Sequence, residues 1–216
     1  MPTGKPSNEN RSYRYIMSQI ILASSSPYRK QLLERLRLPF SIHSPDIDET
    51  PLPNESPVAL AQRLAIEKAQ VIAQQHPGHL VIGSDQVATH QGQPLGKAGN
   101  FDNAYAQLRQ VSGQAVEFHT ALCVTNGQHS QHANVVTQCK FRTLSAAEIT
   151  AYLHQEKPWD TAGSAKAESL GIALMEHIRS DDPTAIIGLP LIALSRILRA
   201  FGVNPLLAAG ATHDET

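Results

Sequence analysis

Apolar and polar positions follow one another along this chain in blocks whose period keeps changing. Ile20-Ile21-Leu22-Ala23 is an unbroken apolar run of strand length. It runs into Ser24-Ser25-Ser26-Pro27-Tyr28-Arg29-Lys30, after which Leu32, Leu33 and Leu36 fall on one face of a helix predicted over 27–37. Serine is a strong N-cap, and proline suits a first helical turn because its missing N–H has no intrahelical partner there. Pro39 stops the helix, and Phe40-Ser41-Ile42-His43-Ser44 alternates like a second strand. An acidic, proline-rich loop follows.

Ser56-Pro57 repeats the cap-then-proline signal and opens a long helix to about Gln75, closed by His76-Pro77-Gly78. Leu80 to Val87 reads as a buried strand with an acid, Asp85, near its far end. A helix is predicted over 102–111. Strands over 116–124 and 134–141 join across Asn126-Gly127, a hairpin turn signal. Ser145-Ala146-Ala147-Glu148 is a capping box for a helix reaching His154. Residues 161–187 suggest loop and strands, and Gly188-Leu189-Pro190 leads into a last helix closed by Gly202. Strands alternating with helices predict an α/β protein, with a mixed sheet flanked by helices and two lobes around a cleft.

Composition narrows the partners. Of 216 residues, 18 are Lys or Arg and 19 are Asp or Glu, a net charge of −1. That balance argues against a broad basic face for long nucleic acid. Hydrophobic residues make up 41%, enough for a real core. No apolar run has the length of a membrane span. Cys123 and Cys139 have neither metal-ligand spacing nor disulfide-scaffold density, which suits buried filler in a reduced, cytoplasmic protein. The ten histidines show no metal-binding pairing. Residues 1–17 are polar, without the apolar centre of a signal peptide, and are expected to be disordered or an upstream extension, with Met17 as an alternative start. A single domain is expected over 18–207 and a flexible tail over 208–216.

Five places can carry chemistry. Free N–H groups at the helix start, beside the serine hydroxyls and Arg29, can receive an anion such as phosphate; the same run also reads as an ordinary capped helix. Asp85 should emerge at the carboxyl end of a buried strand, where open α/β sheets place ligands, and a carboxylate there can activate water or hold a divalent cation. Gly83 before it would admit a close approach of backbone or ligand. Glu49 offers a second acidic centre, and two such oxygen donors with substrate phosphates would suit magnesium or manganese. Lys68 and Lys97 read as surface lysines or as phosphate ligands, the glycine before Lys97 favouring a functional turn.

Six motifs stand in order: Ser-Ser-Ser-Pro-Tyr28-Arg29, Asp48-Glu49-Thr50, Glu67-Lys68-Ala69, Gly83-Ser84-Asp85-Gln86-Val87, Gly96-Lys97 and Ile187-Gly188-Leu189-Pro190. Together they resemble the Maf family, septum-formation-inhibitor-like proteins, over about residues 18–206. The resemblance implies hydrolysis of a nucleoside triphosphate to its monophosphate and pyrophosphate in the cytoplasm, by a protein that can form a homodimer. It makes Asp85 the proton acceptor, with Ser24, Arg29, Lys68 and Lys97 on the phosphates. Beside Glu49 it implies a divalent cation, whether magnesium, manganese or cobalt. Gln86 stands where the dTTP- and UTP-acting branch has threonine. The Gly163-Ser164-Ala165-Lys166-Ala167-Glu168-Ser169 loop looks like the branch that hydrolyses 7-methyl-GTP. On that reading Tyr28, Gln86 and Glu168 select the base; relatives carry tryptophan at Tyr28, and tyrosine keeps the aromatic face. Two readings stand beside it: a dTTP, UTP or broader modified-nucleotide pyrophosphatase, and a non-enzymatic nucleotide-binding regulator of septation. A nucleic-acid-binding module lacks any motif here.

Overall fold

The computed structural model describes residues 20–208. The expected amino-terminal extension and the tail beyond Ala208 lie outside the described residues. Strand β1 (Ile20–Ala23) leads through helix α1 (Pro27–Glu34) to β2 (Ser41–His43), and helix α2 (Pro57–Gln75) leads to the long strand β3 (Leu80–His90). Then come β4 (Gln93–Leu95), α3 (Phe101–Val111), the hairpin β5 (Ala115–Thr125) and β6 (Ser130–Phe141), and α4 (Ala146–Glu156). A long loop, β7 (Met175–Ser180), α5 (Leu191–Ala200) and the short α6 (Pro205–Ala208) complete the chain.

The expected caps form. Ser26 Oγ accepts from the Arg29 amide, Ser56 Oγ from Ala59, and Ser145 with Glu148 closes a reciprocal capping box. Helix α1 ends at Glu34, three residues early, because residues 35–37 tighten into a turn in which Arg37 takes a positive φ of 53°. The sequence reading missed β4 and α6, both too short to show a period. Ala208, expected in the tail, is buried at the end of α6.

One mixed seven-stranded sheet runs β2-β1-β3-β5-β6-β7, with β4 added beside β3. β1 pairs in parallel with β2 and β3; the other pairings are antiparallel. β3 is buried along nearly its whole length because helices or loops cover both its faces. Side chains alternate across it. Val81 and Val87 join a core built on α2, while Ile82 joins a core built on α1 and α5. Ala88 enters a third core, around Phe118, Phe141, α3 and α4. β3 therefore starts in a parallel lobe and ends in an antiparallel one.

Its edge records the change. Residues 80–83 pair with β1 and residues 88–90 with β4, while β5 pairs with residues 81–89 on the other edge. Between them, residues 84–87 have no partner on the β1/β4 edge. That gap, at the carboxyl end of β1, is where Ser84, Asp85 and Gln86 sit; Asp85, expected at the carboxyl end of its own strand, lies instead in the middle of β3, which runs on to His90 to pair with β4.

Candidate active site

Asp85 projects toward α2, on the same face as Val81, Gly83 and Val87. α2 lies unusually close because Gly83 has no side chain: a Cβ there would stand 2.3 Å from Ala65 O and 2.7 Å from Ala69 N. The close approach expected at Gly83 is thus made by a helix backbone. It seats Lys68, one turn along α2, directly on Asp85. Lys68 Nζ donates to Asp85 Oδ1 at 2.6 Å and reaches Glu49 Oε1 at 2.7 Å. The side chains of Lys68 and Asp85 are 7% and 11% exposed, and that of Glu49 56%. One desolvated ammonium is therefore clasped by a covered carboxylate and an open one.

Glu49 reaches this point from the acidic loop because the loop is tied down. Arg63 of α2 donates from Nε to Glu55 Oε1 at 2.7 Å, from Nη2 to Glu55 Oε2 at 2.9 Å, and to Thr50 O at 3.0 Å. The paired contact with Glu55 raises the pKa of Arg63 further. Burial alone would raise the Glu49 carboxyl. The hydrogen bond and charge of Lys68, then the charges of Lys97 and Arg29, outweigh it and hold Glu49 below its ordinary value.

The serine run forms the opposite rim. Ser24, buried, accepts from the Ser26 amide at 3.1 Å, and Arg29 Nη1 lies 3.5 Å from Ser24 Oγ. Arg29 Nε donates to Gly188 O at 2.8 Å. Burial lowers the Arg29 pKa while Asp85 and Glu49 pull it back up. Lys97 is exposed, and its strand-like bridge to Ala162 ties it to the loop over 162–171. Three cations thus face two carboxylates, an excess positive charge that suits an anion.

On the other face of β3, Gln86 Nε2 lies 2.9 Å from Ala185 O, 3.1 Å from Ile186 O and 2.9 Å from Thr120 Oγ1. Its amide nitrogen is committed to the protein, so only its carbonyl oxygen is left for a ligand. Ser84 Oγ lies within hydrogen-bond reach of both Ala121 O and Gly188 O. The remaining rim is built from the two lobes together: Tyr28 lies beside Lys166, whose Nζ is 6.0 Å from the ring centre. Glu168 stands on the same loop. Protein packed around its carboxyl raises its pKa, with Glu156 and Asp160 adding to this and Lys166 opposing it.

Sequence reasoning missed what shapes the 182–190 turn. Buried Asp182 caps α5 at a distance: its Oδ2 accepts from the Ile192 and Ala193 amides at 2.6 and 3.2 Å, and its Oδ1 from the Thr184 amide at 3.1 Å. This fixes the carbonyls of Ala185, Ile186 and Gly188 on which Gln86, Ser84 and Arg29 depend. The signal was Asp182-Pro183-Thr184, a turn initiator directly before an apolar run.

No group of three or more His, Cys, Asp or Glu that could hold a metal exists among the described residues. Glu49 and Asp85 converge from two elements, the pair of carboxylates that magnesium commonly combines with phosphate oxygens. The donor set fits such an ion. Both cysteines are buried and free, and burial pushes their thiols up to about 12. No helix among the described residues is long and apolar enough to cross a membrane.

An α/β fold with cations and carboxylates converging on the middle of β3, beside the end of β1, defines an anion-handling site. The family model described as "Maf-like protein" matches residues 19–201, and the chain belongs to that family. A Bordetella pertussis protein named 7-methyl-GTP pyrophosphatase is 64% identical over 191 residues, 88% of this chain and 96% of the relative. Proteins of the same name from Cupriavidus pinatubonensis and Burkholderia pseudomallei are 56% and 55% identical, over 89% of this chain in each case and 98% and 92% of their own lengths.

Proposed function

We propose that the chain is a nucleoside triphosphate pyrophosphatase that hydrolyses 7-methyl-GTP to 7-methyl-GMP and pyrophosphate, clearing a modified nucleotide. The observation that carries this reading is Lys68 clasped between Asp85 and Glu49 at the gap in β3, with Arg29 close enough to feel both charges. The names of the relatives supply the substrate.

Lys68 holds Asp85 Oδ1, which leaves Oδ2 to accept a proton from water. The water oxygen then bonds to the α-phosphorus, the bond from that phosphorus to the bridging oxygen breaks, and pyrophosphate leaves with the electron pair. Ser24, Arg29, Lys68 and Lys97 hold phosphate oxygens as charged or hydroxyl donors. Glu49, together with substrate phosphate oxygens, would hold a magnesium, manganese or cobalt ion, which would neutralise charge developing on the phosphates.

Methylation at N7 gives the guanine ring a positive charge, and Tyr28 offers it an aromatic face. Glu168 can accept from the guanine N1 and N2 hydrogens. A cationic ring beside it opposes the burial that raises its pKa, so substrate favours its charged form. Gln86 fixes a remaining polar edge through its free carbonyl. The two free cysteines are consistent with a reducing cytoplasm, and the family resemblance adds a homodimer, which light scattering on the eluted protein checks.

The test is pyrophosphate release from a panel of 7-methyl-GTP, GTP, dTTP and UTP, with and without each of the three metal ions. The expected result is metal-dependent release that is fastest from 7-methyl-GTP. Turnover of GTP, dTTP or UTP at an equal or higher rate overturns the substrate, and no release from any of them overturns the enzyme.

A further inference from the structure

The acid-rich loop between β2 and α2 is fastened to the helix by one side chain. Arg63 is 19% exposed, and all three of its guanidinium nitrogens are engaged. Nε and Nη2 donate to the two oxygens of Glu55, Nη2 also to Thr50 O, and Nη1 to Glu67 Oε2 at 3.0 Å. Thr50 directly follows Glu49, so the bond to its carbonyl fixes the backbone from which the Glu49 side chain leaves. The other polar bonds of the loop are internal. Asp48 Oδ1 accepts from the Thr50 amide and Glu55 Oε2 from the Leu52 amide, each at 2.9 Å. They shape its turns and leave the anchoring to Arg63, with Ile47 packed against the core under α2.

The same guanidinium decides which carboxylate stays free. It pairs with Glu55, whose side chain is 7% exposed, and with Glu67. Glu49 is left to Lys68, a single ammonium contact on an open carboxylate. A planar fork bonded at several points holds its partners in place, whereas a single ammonium contact can be shared with an incoming cation. The loop is therefore fixed while its metal-facing carboxylate remains available.

We propose that Arg63 is a positioning residue that sets the affinity for the divalent cation. It holds the loop so that Glu49 is presented ready placed, and it touches neither the cation nor the substrate. This rests on the reading of Glu49 as the residue that holds the cation. An unfastened loop would have to be ordered each time the cation binds, and that ordering weakens binding. Outer partners of metal ligands are worth about 10- to 100-fold in metal affinity. Asp85 and Lys68 sit on β3 and α2, outside the loop, so the chemical step is unaffected once the cation is bound.

The experiment follows pyrophosphate release from 7-methyl-GTP by the full chain as manganese is raised. It compares wild type, Arg63→Gln, Arg63→Lys, Glu49→Gln and the double variant Glu49→Gln/Arg63→Gln. Both Arg63 variants should raise the half-saturating manganese concentration about 10- to 100-fold and leave kcat at saturating manganese near wild type. Arg63→Lys behaves like Arg63→Gln because an ammonium cannot grip Glu55 as a fork and reach Thr50 O as well. A wild-type manganese requirement in Arg63→Lys reduces the role to charge and overturns the proposal. So does a lower Tm with no change in the manganese requirement of Arg63→Gln. The double variant should need no more manganese than Glu49→Gln, since Arg63 acts through Glu49; additive effects overturn it. Hydrogen exchange on the metal-free protein gives a reading independent of turnover. In Arg63→Gln the Leu52 amide should exchange faster while amides in the middle of α2 keep their wild-type rates. Unchanged protection of Leu52 overturns the proposal even where Glu49→Gln has no measurable rate. Wild type and Glu49→Gln test the site reading by themselves: a wild-type manganese requirement in Glu49→Gln takes the cation away from Glu49, whatever Arg63 does.

Discussion

The two walls of the candidate site are held in different ways. On the parallel-lobe wall, Asp85, Lys68 and Glu49 are joined at 2.6 and 2.7 Å, on elements locked by Gly83 and by the Arg63–Glu55 pair. On the other wall, Lys166 and Glu168 ride on a loop, and their contacts are longer: 6.0 Å to Tyr28 and 3.7 Å to Asp160. Short, desolvated contacts fix the atoms that bond changes require. Long contacts can be exchanged for a ligand at little cost. The comparison therefore assigns chemistry to the first wall and selection to the second. Variants of the first should slow every nucleotide alike, and variants of the second should change ratios.

The sharpest break would come from Asp85→Asn. Loss of a general base should lower kcat by about 10²–10⁴-fold, equally for 7-methyl-GTP and GTP. A near-normal rate in a folded variant removes Asp85 from the chemistry, and a loss confined to one nucleotide removes the division between the walls. Lys68→Met comes next. It leaves Asp85 covered and without its cation, and breaking a buried pair on one side costs roughly 3–5 kcal/mol. Urea unfolding at neutral pH measures it. A loss under about 1 kcal/mol would mean that water reaches Asp85 freely, as at an exposed pair.

Gly83→Ala reaches the same wall by packing alone. The new methyl meets Ala65 O at 2.3 Å, so α2 must back away and carry Lys68 with it. Overpacking of this kind costs about 1–3 kcal/mol. The expected result is a lower Tm together with a fall in kcat that leaves the nucleotide preference intact. Tyr28 sits on α1 but turns its ring to the loop wall, so Tyr28→Leu should do the reverse: stability near wild type and a preference for 7-methyl-GTP reduced about 2- to 30-fold.

The first wall was far more legible in the sequence than the second. Ser24, Arg29, Glu49, Lys68 and Asp85 each sit in a short segment whose local signal is strong: a serine–proline cap, an acid ending an apolar run, a lysine on a long helix. The gap in β3 was not legible, because it depends on where β1 ends and β4 begins, and a three-residue strand shows no period. Nor was the commitment of Gln86 to Ala185 and Ile186, a contact across about a hundred residues that exists only because Asp182 folds the turn. The loop over 162–171 carries small residues without periodicity. Its rigidity comes from the Lys166 amide donating to Tyr152 and from the close approach of Gly171 to Lys166, and neither can be read from spacing.

A last variant should touch neither wall. Glu148 closes the capping box of α4, in the antiparallel lobe, and also receives Arg142 Nη2 at 3.0 Å. Hydrogen bonds from the backbone and side chain of Ser145, then from Arg142, lower its pKa from 4.5 to about 2. A depressed carboxyl stabilises the fold above its ordinary pKa, and that contribution fades as pH falls from about 4.5 toward 2. Glu148→Gln keeps a side chain able to cap and removes the charge. Its Tm should be slightly below wild type at pH 7, with the gap closing through that acid window while other carboxylates titrate in both proteins alike. Its rates and nucleotide preference should be those of wild type, since α4 packs on the far core around Phe118 and Phe141. A changed preference would mean that α4 transmits to Lys166 through Tyr152, and selection would then belong to the antiparallel lobe as a whole and not to its loop.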